Sequence, residues 1–269
     1  MKKNANAIIA AYFGFFVLMM LSGMFRGTLS DAVYYLAYIL PFASVIFVLR
    51  DEGIGKNLFS LGKRGVKLFL PTVFPTVLLV AFISYLTSLV MLAIFKKSSV
   101  TYLGSDPFAA VLNHAAIPAL LEEMLFRYLP LRFIAPHSKR YAVVFSATAF
   151  ALVHHSFFSI PYALAAGVIF ITVDILCDSI LPSLILHFVN NAVSVVWSMY
   201  FTSLLGNLIF VSVLASFAVF SAVLLVSRRT EYFAGIREII FAKREKLLTS
   251  SFVCFSVLPL AIAVYEIIV

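Results

Sequence analysis

Charge is what this sequence has least of. Only 12% of its 269 residues are Asp, Glu, Lys or Arg, about half the share of a soluble globular domain. Hydrophobic residues make up 63%, and the mean hydropathy is +1.06. One water-facing fold cannot conceal that much apolar surface, and a disordered chain would be poor in it. What remains is a polytopic membrane protein. Cysteine is scarce as well. Cys177 and Cys254 both lie in apolar runs, which excludes a disulfide framework and a CxxC metal site. Acidic residues are outnumbered by basic ones, 12 to 20, for a net charge of +8. The basic residues fall mostly between hydrophobic runs, so they read as topology signals and contacts for anionic lipid, not as a nucleic-acid surface.

What is present is a series of apolar stretches near the 20 residues a span requires. Nine are expected, at 7–25, 31–49, 68–95, 107–134, 141–157, 160–177, 180–202, 204–226 and 247–268. The fold class is therefore all-α, a polytopic membrane protein of about eight to nine transmembrane helices. One membrane domain is expected over 1–269. It comprises N-terminal spans with a basic loop (1–106), a core rich in buried polar motifs (107–202) and C-terminal spans (203–269). The first stretch is expected to be retained, because Phe25, Arg26 and Gly27 make a poor cleavage site. The fifth to seventh stretches follow one another so closely that tight hairpins or partly re-entrant segments are expected.

Positive charge orients the chain. With the N-terminus inside, the outer connections hold Arg26, Lys96 and Lys97, and Arg127 lies within a span. Every other Lys and Arg falls inside, which predicts an N-inside, C-outside protein. Segments 54–67 and 228–246 mix Leu and Phe with Lys and Arg. They read as interfacial, the second as an amphipathic helix, with anionic lipid as the expected contact. Solvated loops carrying the orientation signal would have the same composition.

Ionisable groups inside a bilayer are costly, and three regions contain them. In Leu120-Leu121-Glu122-Glu123-Met124-Leu125-Phe126-Arg127 the two carboxylates point about 100° apart on a helix. Glu123 and Arg127 are four residues apart, the spacing of an intrahelical ion pair. Glu122 is left without a local partner, as a general base or acid would be. The second region ends in His154-His155, with His154 the deeper. The third, His187-Phe188-Val189-Asn190-Asn191, puts His187 and Asn191 on one helix face. Each motif alone could be interhelical polar glue. Together Glu122, His154, His187 and Asn191 would supply a base, two imidazoles and an amide, enough to activate water and stabilise a tetrahedral intermediate. Asp174 is expected to pair helices or mark the inner boundary, and Asp178 to cap the seventh helix.

Glu122-Glu123-x-x-x-Arg127, then Phe150-x-x-x-His154, then His187-x-x-x-Asn191, on separate hydrophobic helices, resemble the CPBP family, the CAAX-processing proteases and bacteriocin-processing or immunity proteins often grouped as Abi. All three motifs are complete, and the resemblance covers roughly 107–202. It implies an intramembrane endopeptidase on a CPBP-type helical core. By that pattern Glu122 and His154 activate the attacking water, His187 and Asn191 stabilise the oxyanion, and Glu123 and Arg127 are architectural. The expected mechanism needs no cofactor. Zinc is the alternative, held by Glu122, His154 and His187 with one position open. The expected substrate is a small hydrophobic or lipidated protein or peptide, and the expected location a plasma membrane if the cell is prokaryotic. Two other readings share the motifs: a non-catalytic immunity or scaffold protein, and a proton-coupled transporter. The transporter reading lacks an inverted repeat and paired broken helices.

Overall fold

A computed structural model describes residues 2–50, 57–96, 106–154, 156, 158–201 and 203–241. Among these residues the chain is built from helices: α1 (Lys2–Met24), α2 (Thr28–Val48), α3 (Lys63–Phe95), α4 (Pro107–Phe133), α5 (Lys139–Leu152), α6 (Ile160–Cys177), α7 (Leu181–Tyr200), α8 (Leu204–Ser227) and α9 (Arg229–Ile240). Seven of them, α1–α4 and α6–α8, are long and apolar enough to cross a membrane. This is the all-α, multi-pass architecture expected. The stretch 247–268, Cys254 and His155 lie outside the described residues.

The fifth stretch departs from expectation. Its helix α5 has 14 residues, about 21 Å at 1.5 Å per residue, which is short of a bilayer core. It can be short because it runs through protein. Nine of its residues are buried. The α5–α6 crossing is close: a Cβ added at Gly167 would sit 2.9 Å from Ala147 Cα. Small residues allow such an approach between membrane helices.

Helix α1 shows what hydropathy alone conceals. Its buried residues Ala5, Ile8, Tyr12 and Phe15 follow helical spacing, and this face packs on Leu125, Phe126, Leu129 and Phe145. The other face leaves Phe13 and Met20 half exposed, which suits lipid. Local cues set the helix starts. Asp106 accepts hydrogen bonds from the Phe108 and Ala109 amides, with Pro107 at the first position, and Ser138 and Ser203 accept from Tyr141 and Gly206. These are favoured N-terminal residues.

The α6–α7 turn corrects one expectation. Asp178 does not cap α7. It ends α6 in the left-handed region, φ 56°, a conformation Asp tolerates. The start of α7 is held by Asp174 Oδ1, which accepts from the Ser183 amide at 2.9 Å, and by Ser179 Oγ, which accepts from Leu181. The fully buried Asp174 thus fixes the height of α7, and His187 stands one turn beyond Ser183. Segment 57–62 buttresses the same turn, since the Leu58 carbonyl accepts from the Ile180 amide and the Ser179 hydroxyl.

As far as 228–246 is described, it forms the expected helix. Helix α9 lies across the α5 and α6 ends. Lys139 pairs with Glu238 at 2.5 Å and Arg64 with Glu231 at 3.6 Å. The Tyr232 hydroxyl donates to the Leu68 carbonyl.

Candidate active site

Helix α4 is not a uniform α-helix. Turns of π-helix at Leu112–Ala116 and Met124–Tyr128 bracket the α segment Ile117–Glu123. The cause of the second lies in the sequence. Pro130 has no N–H, so neither Phe126 O, four residues back, nor Leu125 O, five back, can receive a bond from it. Two hydroxyls from other helices take that place: Ser146 of α5 donates to Phe126 O at 2.5 Å, and Tyr12 of α1 donates to Leu125 O at 3.2 Å. Inside a membrane such carbonyls must be satisfied by the protein. The widened turn is thereby locked between α1 and α5. Wide turns of this kind are frequent at functional sites, and this one directly follows the two glutamates.

Glu123 is fully buried and engaged on both sides. Its Oε2 lies 3.4 Å from Arg127 Nε, and its Oε1 meets His187 Nδ1 at 2.8 Å. The ion pair anticipated at this spacing is present; the contact with His187 was not legible in the sequence. Arg127 is also fully buried. Its guanidinium stacks 4.0 Å above the Phe150 ring and 5.6 Å from Phe170, so aromatic faces share in stabilising the cation.

Glu122 is situated differently. Its side chain is 14% exposed, its Oε1 accepts from Tyr38 Oη at 3.4 Å, and its Oε2 lies 3.9 Å from His187 Nε2. That Oε2 is buried without a hydrogen-bond partner among the described residues. The two imidazoles flank one ring: Phe150 is 4.9 Å from His154 and 5.6 Å from His187. His154 stands just past the end of α5, its Nδ1 2.8 Å from the Phe150 carbonyl. A carbonyl only accepts, so Nδ1 carries the hydrogen, and Nε2 of the neutral ring keeps its lone pair. The same reasoning gives His187 an Nδ1–H directed at the Glu123 carboxylate.

Asn191 is half buried on α7, one turn beyond His187. Its Oδ1 accepts from Asn190 Nδ2 at 3.3 Å. Glu122, Glu123, Arg127 and His187 are therefore brought into direct contact, His154 joins them through Phe150, and Asn191 shares the His187 face. Sequence reasoning missed Tyr38, one of 12 tyrosines, which nothing in the chain marks out. Asp174, expected to pair helices or mark the inner boundary, holds the start of α7.

Zinc would require Glu122, His154 and His187 to converge on one point at about 2 Å each. Among the described residues no group of three His, Cys, Asp or Glu side chains is so arranged. His187 Nδ1 faces Glu123, which leaves its Nε2 as the nitrogen that could ligate a metal.

Comparison with known proteins gives one family. The model for "Type II CAAX prenyl endopeptidase Rce1-like" matches residues 104–193, the stretch that runs from the start of α4 past Asn191. Neither the curated proteins nor the solved structures give a match to this chain. The match takes in Glu122, Glu123, Arg127, His154, His187 and Asn191, and it supports a CPBP-type intramembrane protease.

Proposed function

We propose that the protein hydrolyses a peptide bond in a small hydrophobic or lipidated substrate, with Glu122 as the general base. One observation carries this reading. Glu123 is held by an ion pair with Arg127 and a hydrogen bond with His187, whereas Glu122 Oε2 is buried 3.9 Å from His187 Nε2 without a hydrogen-bond partner among the described residues.

In this mechanism Glu122 Oε2 takes a proton from water as the water oxygen attacks the substrate carbonyl. The His154 Nε2 lone pair accepts the water's other hydrogen and aligns it. The developing oxyanion receives hydrogen bonds from the Asn191 amide and from protonated His187. Glu123 holds His187 by its Nδ1–H and stabilises the imidazolium, so its work extends beyond architecture. Glu122 then delivers the proton to the leaving amine. No step passes through a metal. The chain is inserted with its N-terminus inside, and α9 with the basic connections faces anionic headgroups.

The test is cleavage of hydrophobic and prenylated peptides by purified protein in detergent, with metal content measured on the same sample. Glu122→Gln, a near-isostere that cannot take the proton, should lower the rate by about 10²–10⁴-fold and leave the protein folded. Cleavage retained by the variant would sink the assignment. Activity that tracks stoichiometric zinc would replace the metal-free route.

A further inference from the structure

We infer that Tyr38 is a positioning residue for Glu122, contributed by a helix outside the family match. This rests on the reading of Glu122 as the base. Tyr38 sits on α2, far in sequence from the matched residues 104–193. It is only 5% exposed, and its hydroxyl donates to Glu122 Oε1 at 3.4 Å. Contacts of this length are common in substrate-free sites and tighten when substrate binds. A buried tyrosine hydroxyl needs a partner, and here it is Glu122 Oε1, on a carboxylate whose Oε2 has no hydrogen-bond partner among the described residues.

The ring is held in place on two sides. Phe15 of α1 meets it edge-on at 4.7 Å, and Tyr34, one turn earlier on α2, at 5.4 Å. The hydroxyl is therefore delivered from a fixed ring. The consequence for Glu122 is geometric. A free carboxylate rotates about its last bond and presents either oxygen. With Oε1 held by Tyr38, Oε2 is the oxygen turned toward His187 Nε2, and the proton-accepting lone pair has one orientation. The N-terminal pair α1–α2 is then part of the site, since Tyr12 locks the widened turn after Glu123 and Tyr38 orients Glu122 before it. Tyr38 touches neither substrate nor water in this scheme and acts through Glu122.

Tyr38→Phe removes the hydroxyl and keeps the ring contacts. On a peptide cleaved by the wild type, kcat should fall about ten-fold with KM within a factor of two. A second readout needs no activity. The infrared carboxylate bands of Glu122, assigned by their loss in Glu122→Gln, should shift in Tyr38→Phe. Unchanged bands, or an unchanged kcat, would overturn the inference. If the wild type cleaves no peptide while the bands still shift, the peptidase reading fails and the positioning contact stands.

Discussion

Helices α4 and α8 are close in length and both can span a bilayer, but they solve the membrane problem in opposite ways. Helix α8 has no charged residue between Leu204 and Ser227. It buries a narrow stripe of Leu214, Ala218 and Ser221 and leaves Val219, Phe220 and Val223 largely exposed. Ser216 Oγ bonds within the helix, to Ser212 O at 2.8 Å, and Asn207, in its first turn, accepts from Trp197 Nε1 of α7. Along the rest of the helix no charge or helix irregularity calls for a neighbour. Helix α4 carries Glu122, Glu123 and Arg127, two π turns and Pro118 and Pro130. Each of its irregularities is answered from another helix: Tyr12, Tyr38, Ser146, Phe150 and His187. A span that faces lipid must be self-sufficient. A span that does chemistry can be locally deficient, provided its neighbours complete it.

The sharpest way to break this contrast is to remove one half of the buried pair. Arg127→Met leaves the fully buried Glu123 without its cation and should cost about 3–5 kcal/mol. Glu123→Gln combined with Arg127→Met removes both charges and should recover most of that loss, because a buried pair and a neutral replacement differ little in net stability. Denaturation in SDS of the two variants and the wild type would measure it. A single variant as stable as the wild type would mean that Arg127 is solvated by Phe150 and Phe170 alone.

The contrast also explains what the sequence reveals. Charges in an apolar run are conspicuous, so Glu122, Glu123, Arg127, His154 and His187 stand out at once. The Glu123–Arg127 pairing follows from spacing four residues apart on one helix. What answers them from other helices is inconspicuous. Tyr38, Ser146 and Tyr12 are ordinary residues in ordinary apolar stretches, and only tertiary proximity gives them a task. The α5 segment misleads for a related reason. Hydropathy measures apolar content and not what surrounds it, so a helix wrapped by protein scores like one wrapped by lipid although it need not cross the full thickness. The capping of α7 misleads through distance in sequence, because Asp174 reaches Ser183 only after the chain has turned at Asp178.

A second test sharpens the claim that neighbours complete α4. Ser146→Ala leaves Phe126 O unanswered in a buried site and should cost about 1–3 kcal/mol. Pro130→Ala restores an N–H that can reach Phe126 O. In that background Ser146→Ala should cost distinctly less, and the two changes should be non-additive in a double-mutant cycle. Additive losses would show that the proline and the serine act separately.

The smallest effect is expected where the same charge chemistry occurs in water. Lys139 and Glu238 join α5 to α9 at 2.5 Å, closer than Arg127 and Glu123, yet their side chains are 36% and 65% exposed. Shorter distance does not make this pair stronger. Solvent screens the attraction, ordering two flexible side chains opposes it, and neither charge is stranded when the other is lost. Lys139→Ala and Glu238→Ala should each cost about 0.2–1 kcal/mol, and the coupling between them should fade as salt is raised. The Arg127–Glu123 coupling should persist in the same salt series, since no counterion reaches it. A Lys139–Glu238 coupling that survives high salt would place this end of α9 against a low-dielectric surface and group the pair with the buried network of α4.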